Sequence, residues 1–141
     1  MSANSRLTIA IHVLMWMALV ARKRSDPVTS DRIAASVNTH PVVIRRTLGL
    51  LQRNGLVRSR RGQNAGWTLA RSPSEITLLD VFDAVEEGSL FALHHSQPNP
   101  ACPIGRGIRP VLRKVYGSLE KSLRQHLSKI TIEQVLAETV D

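Results

Sequence analysis

The side chains best equipped for chemistry are a set of arginines and one cysteine. Arg45, Arg46 and Arg53 fall on one side of a helical segment, and Arg58, Arg60 and Arg61 crowd into a short stretch just after it. A guanidinium is permanently charged, and its planar fork suits phosphate oxygens and guanine edges. Cys102 lies in the run Pro98-Asn99-Pro100-Ala101-Cys102-Pro103, with His94 and His95 upstream and Arg106 just after. Metal ligation by Cys102 and a histidine matches no common spacing or ligand count. A Cys–His nucleophile lacks any sign of a substrate pocket. Two readings stay open: a redox-sensing thiol whose thiolate a nearby cation favours, and an inert loop cysteine. No paired carboxylates in motif context and no phosphate-binding loop occur, so an enzyme is not expected.

The charge supports a polyanion partner. The chain has 141 residues, 19 Lys and Arg against 11 Asp and Glu, and a net charge of +8. Residues 1–71 carry 12 basic and 2 acidic side chains, a net of +10, whereas residues 72–141 carry 7 and 9, a net of −2. A basic half joined to a slightly acidic one reads as a polyanion-binding module followed by something else. The length suits one domain with an appended helical arm. The apolar share of 43% is enough for a core, and a single cysteine excludes an intrachain disulfide framework.

An anionic membrane is the rival partner. Leu7 to Ala21 is nearly all apolar. As a helix it spans about 22 Å, short of the roughly 30 Å hydrocarbon core. Arg22, Lys23 and Arg24 follow directly, where a signal peptide would have its small-residue cleavage site. The expectation is a helix buried on two sides, by its own domain and by a partner subunit, with His12 packed within it. No membrane association is expected; the location is cytoplasmic, and Cys102 rests reduced.

These residues need elements to position them. A first helix is expected from about Asn4 to Arg22, broken by Asp26-Pro27. Thr29, Ser30 and Asp31 are good N-cap residues, Ile33, Ala34 and Val37 form a short apolar face, and Asn38 can end that helix in the left-handed conformation. Pro41 suits the first turn of a second helix, with Ile44, Leu48 and Leu51 as its inward stripe and Asn54-Gly55 as its end. Two short helices joined by a tight turn, over about 29–54, form a helix-turn-helix. Two short strands follow around the polar, Gly-containing loop at 62–66, over about 56–70, and read as a wing, with Trp67 and Leu69 packed beneath it. Ile76 to Val81 starts another helix, with Thr77 and Asp80 as a capping box, Ile76 and Val81 as its staple, and Gly88 at its end. Residues 89–107, rich in Pro and Gly, read as a loop. A long helix is expected over 108–127, and Thr131 and Gln134 form the capping box of a last short helix, with Ile130 and Val135 as staple.

The fold class is therefore mainly α with a small β-wing: a winged helix-turn-helix domain over 1–88, a Cys/Pro-containing loop over 89–107, and a dimerisation helix plus C-terminal helix over 108–141. The second helix of the helix-turn-helix turns Val42, Arg45, Arg46, Gly49 and Arg53 outward, and an α-helix fits the DNA major groove. Thr39, His40 and Pro41 sit at its entry, and Thr29 and Ser30 at the start of the preceding helix are further candidate DNA contacts. Arg58 and Arg60 share a strand face with Arg61 at the tip, and a narrow minor groove attracts such arginines. Ordinary solvated surface is the bland alternative for both sets. Ile108, Val111, Leu112, Val115, Leu119 and Leu123 line one face of the long helix, which points to a homodimer. Double-stranded DNA with a pseudo-palindromic operator is the expected partner. A winged helix contacting RNA or protein is the rival.

Several stretches together resemble the bacterial regulators of the Rrf-two type. They are Leu7 to Ala21, Val37-Asn38-Thr39-His40-Pro41-Val42-Val43-Ile44-Arg45-Arg46, Asn54-Gly55-Leu56-Val57, Gly66-Trp67-Thr68-Leu69-Ala70-Arg71, Ile76 to Val81, Ala84-Val85-Glu86 and Asn99 to Gly105. The likeness runs in order along nearly the whole chain. It implies a dimeric winged-helix transcription factor, usually a repressor, from a group that includes iron–sulfur, nitric-oxide and cysteine-metabolism regulators. It implies that the helix beginning at Pro41 is the recognition helix, that Arg61 matches a wing arginine entering the minor groove, and that the 108–127 helix crosses over to form the dimer. Two departures matter. Cluster-binding members carry three cysteines before the dimer helix, whereas only Cys102 is present, so no cluster or other cofactor is expected. The wing reads Ala65-Gly66-Trp67 where many members have Gly-Gly-Tyr. The signal is expected to be thiol oxidation at Cys102, or a small-molecule effector with Cys102 inert.

Overall fold

Capping chemistry starts and stops most of the helices. In the computed structural model, which describes residues 5–141, the order is α1 (Ser5–Ala21), α2 (Ser30–Val37), α3 (Pro41–Arg53), β1 (Val57–Arg60), β2 (Gly66–Leu69), a single 3-10 turn at Pro73–Glu75, α4 (Leu78–Val85), α5 (Pro103–Leu127) and α6 (Ile132–Val140). The expected start of the first helix at Asn4 lies outside the described residues. The Thr29 hydroxyl accepts from the Arg32 N–H at 3.3 Å and opens α2. Asn38, at φ 60°, ends α2 in the left-handed region. Pro41 occupies the first turn of α3, where no N–H is needed. The result is a mainly helical winged helix whose one sheet among the described residues has two strands.

One compact unit comprises the residues up to Glu86 together with Ser128–Asp141. Its core is layered around α1, which buries Ala10, Val13, Leu14, Met17 and Ala18 on one stripe and contacts α2, α3, α4 and α6. Ile44, Leu48 and Leu51 are fully buried from α3, and Ile76, Val81 and Ile132 join them. Each buried aliphatic side chain contributes about 1.5–3 kcal/mol. α4 has the full capping box: the Thr77 hydroxyl accepts from the Asp80 N–H at 3.1 Å, and the Asp80 carboxylate accepts from the Thr77 N–H at 3.0 Å. The helix stops at Val85, short of the expected Gly88, because the Glu86 backbone is extended.

α6 also belongs to this unit. Sequence reasoning grouped it with the dimerisation helix, but the Leu78 N–H donates to the Ile130 carbonyl at 2.8 Å and the Ile132 N–H to the Ile76 carbonyl at 2.9 Å. These bonds stitch the entry of α6 to the entry of α4, and Ile132 and Leu136 fill the core from it.

Residues 87–127 form the second unit. Here α5 begins at Pro103, five residues before the expected Ile108, so Gly105 and Gly107 are helical rather than loop. The Asn99 side chain accepts from the Ala101 N–H at 2.9 Å and its carbonyl accepts from the Cys102 N–H at 3.2 Å. That turn delivers Pro103 into the first helical turn, and a Cβ on Gly105 would run into the Asn99 carbonyl. Gly105 is thus a close-approach glycine, not a helix breaker. Arg109 pins the preceding loop, its Nη2 donating to the carbonyls of His94 at 2.7 Å and Ser96 at 2.8 Å.

Candidate nucleic-acid interface

The outward side of α3 carries Val42, Arg45, Arg46 and Arg53, all exposed, with Gly49 between them. Burial of the opposite stripe fixes this orientation, since a helix that buries residues 44, 48 and 51 must present the others. At its entry His40 is exposed, Thr39 and Pro41 are half-buried, and the His40 Nδ1 accepts from the Val42 N–H at 3.1 Å. His40 is therefore the N-cap of α3. Thr29 is exposed and occupied as the cap of α2, with Ser30 half-buried behind it.

The wing follows directly. β1 and β2 pair antiparallel, with Val57 opposite Leu69, Arg58 opposite Thr68, Ser59 opposite Trp67 and Arg60 opposite Gly66. Alternation gives Arg58 and Arg60 one face, and Arg61 begins the tip, where Gly62 takes φ 84°. All three arginines are exposed. On the other face Val57 is buried, while Trp67 and Leu69 are half-buried.

Two features that sequence reasoning missed hold the wing beside α3. Gln52 Nε2 donates to Ser59 Oγ at 3.0 Å, and the Leu56 N–H donates to the Leu51 carbonyl at 3.0 Å. At the wing root Val28 pairs with Trp67, the two exchanging N–H···O bonds of 3.0 and 2.7 Å. Gly66 permits this approach, because a Cβ there would lie 2.7 Å from the Val28 carbonyl oxygen. The glycine at position 66 was visible in sequence, but its partner 38 residues earlier was not.

Not every positive charge is free to meet a polyanion. Arg22 pairs with Asp141 at 3.1 Å, and Arg71 reaches Asp80 at 3.5 Å and donates to the Glu75 carbonyl. Arg32 lies over the Trp16 ring at 5.7 Å from its centroid. Nearby, His12 Nε2 meets Ser36 Oγ at 3.0 Å and joins α1 to α2.

The family model described as Rrf2, iron-dependent transcriptional regulator, matches residues 3–138. The chain belongs to the Rrf2 family. It is similar to YwnA of Bacillus subtilis (strain 168), provisionally named an HTH-type transcriptional regulator: 37% identical over 134 residues, covering 94% of this chain and 96% of that protein. A solved chain provisionally described as DNA-binding is 31% identical, with a TM-score of 0.73 over 94% of this chain and 99% of that one. Thermincola-type naming aside, the structure titled T. potens IscR shares the fold at 21% identity, with a TM-score of 0.72 over 99% of this chain and 88% of that one. The chain is accordingly a helix-turn-helix DNA-binding transcriptional regulator, a non-enzymatic role.

The family description names iron, and the donor set does not fit it. A [2Fe–2S] cluster needs four protein ligands, and this Rrf2 protein has one cysteine. Among the described residues no group of three or more His, Cys, Asp or Glu side chains could hold a metal ion. No helix among them is long and apolar enough to cross a membrane.

Cys102 is exposed at the start of α5. The backbone N–H of Gly105, and then that of Ile104, hydrogen-bond to its sulfur and hold the thiol below its ordinary pKa. Sequence reasoning assigned that effect to the Arg106 charge; the first turn of the helix supplies it instead. Of the expected dimerisation residues, Val111, Val115 and Leu119 are bare, at 62%, 52% and 47% exposure. Ile108 and Leu112 instead face Ala92, Leu93 and His94 across a cavity of about 310 Å³, and Leu123 is half-buried. Phe91 and Tyr116 stack in the same unit, with ring centroids 5.2 Å apart.

Proposed function

We propose that two copies of this chain bind one pseudo-palindromic operator and repress transcription by occupying it. Each copy sets α3 in a major groove, with Arg45 and Arg46 at bases or phosphates, and its wing in the adjacent minor groove, with Arg61 at the tip and Arg58 and Arg60 on the backbone. Thr29, Ser30, Thr39, His40, Pro41 and Val42 complete the contact surface. The observation that carries this reading is the 3.0 Å Gln52–Ser59 bond, which holds the arginine-bearing strand beside the recognition helix. The dimer forms through the exposed stripe Val111, Val115 and Leu119, with Ile108, Leu112 and Leu123 at its margins. The protein works in the cytoplasm on double-stranded DNA.

The signal is oxidation of Cys102. A peroxide transfers one oxygen to the thiolate, giving the sulfenic acid and hydroxide; a second thiol, from a small molecule or the other copy, then condenses with it to a disulfide and releases water. The thiolate that accepts from Gly105 and Ile104 is lost in the process, so oxidation acts on the first turn of α5.

Selection of bound DNA from a random pool, first reduced and then oxidised, tests the reading. Reduced protein is expected to enrich inverted repeats whose half-sites lie one or more helical turns apart, and oxidised protein to enrich them poorly. Enrichment of no common sequence overturns the DNA-reading role, and equal enrichment in both states overturns the thiol signal. Duplex RNA competing as well as duplex DNA would point to RNA instead.

A further inference from the structure

We propose that His40 is a base-reading donor that rejects cytosine at one position of each half-site, an inference that rests on α3 being the recognition helix as described above. A neutral imidazole has one nitrogen that donates and one that accepts. His40 Nδ1 accepts from the Val42 N–H at 3.1 Å, so that nitrogen carries no proton. The ring proton of the neutral side chain is therefore on Nε2. Nε2 lies across the ring from the capping nitrogen, His40 is exposed, and Nε2 has no hydrogen-bond partner among the described residues. The cap thus performs two tasks. It satisfies an otherwise orphaned N–H of the first helical turn, and it fixes the tautomer so that the outward nitrogen can only donate.

The chemistry that would meet this donor is narrow. The first residues of a recognition helix are the ones that reach base edges. In the major groove guanine offers N7 and O6, adenine N7 and thymine O4 as acceptors, whereas cytosine presents only its N4 amine, a donor. Placing two donors face to face leaves both unpaired and desolvated. His40 therefore reads against cytosine on the contacted strand, with guanine the best match because it offers two adjacent acceptors.

The test is selection from a random DNA pool with the wild-type protein, His40→Gly and His40→Asn, together with nitrogen NMR of the His40 ring in the free protein. Glycine is a serviceable N-cap without a side-chain donor, and asparagine keeps both a capping acceptor and a donor. The ring is expected to be protonated on Nε2 and bare on Nδ1. Wild type and His40→Asn should both deplete cytosine at one shared position of the half-site. His40→Gly, with unchanged thermal unfolding, should accept cytosine there and bind the best operator about 2- to 12-fold more weakly. An Nδ1-protonated ring overturns the proposal. So does a His40→Gly protein with the wild-type base ranking, whether its affinity is unchanged or falls uniformly, the latter being the signature of a phosphate contact. A wild-type protein that enriches no sequence removes the underlying DNA-reading role, an outcome separate from any His40 result.

Discussion

Replacing Gly66 by alanine should loosen the wing at its root. The added Cβ would stand 2.7 Å from the Val28 carbonyl oxygen, 2.9 Å from its carbonyl carbon and 3.0 Å from Pro27 Cβ, and residue 66 has φ +153°. Two of those three atoms are backbone, so no side-chain rotation relieves the clash. Either the crowding stays, at about 1–3 kcal/mol as for other overpacked sites, or the strand withdraws and weakens the two Val28–Trp67 hydrogen bonds, at about 0.5–1.5 kcal/mol each. Both routes give a loss of about 1–3 kcal/mol, or roughly 3–10 °C in melting temperature for a chain of this size. Gly49 supplies the opposite sign. It is helical, with open space around its Cβ direction. Gly49→Ala should therefore add about 0.5–1 kcal/mol of stability through helix propensity. Thermal unfolding of the two variants beside wild type is the assay. A Gly66→Ala protein melting within about 1 °C of wild type, or two variants shifting in the same direction, would refute the packing argument.

Three further outcomes follow from the proposed DNA complex and from the Cys102 environment. Arg61→Ala should weaken operator binding about tenfold while sedimentation shows the same assembly, and the slope of log affinity against log salt should fall by about 0.9 for the lost contact; an unchanged slope would remove Arg61 from the interface. Cys102 should react with a thiol-alkylating reagent at a rate whose pH midpoint lies below that of an ordinary cysteine, because its N–H partners favour the thiolate. The rate rises through that lowered pKa as pH rises, and unfolding in denaturant should return the midpoint to about 8.5. Leu119→Glu should convert the assembly to single chains and abolish tight operator binding, since one half-site alone would remain; a dimer that survives would move the interface off the bare stripe of α5.

The helix-turn-helix was legible because its signals are local. Thr29, Asn38 and Pro41 each act on backbone within a few residues, and the apolar spacing at 44, 48 and 51 does the rest. The wing was equally legible as a hairpin, because its two strands are neighbours in sequence. What could not be read was pairing at a distance. Val28 with Trp67, and the entry of α4 with that of α6, join segments whose composition carries no mark of their partners. The start of α5 failed for another reason. Gly105 and Gly107 lower helix propensity, and propensity was allowed to decide; the Asn99 turn and the first-turn Pro103 outweigh it. At the site, the outward arginines were legible from the inward stripe, but the Gln52–Ser59 bond and the His40 cap depend on side-chain direction, which spacing alone does not give.

The Val28–Trp67 pairing also limits how any signal could act. The strand that leads from α1 into α2 is tied to the wing root, and the wing is tied to α3 through Gln52 and through the Leu51 carbonyl. The two parts that would grip DNA thus behave as one jaw of a caliper, with no hinge between finger and thumb. Loosening its grip on a single half-site would mean breaking backbone hydrogen bonds. Changing the gap between two such jaws would break none of them, so an operator whose half-sites were respaced to follow the gap should be bound even by the switched-off protein.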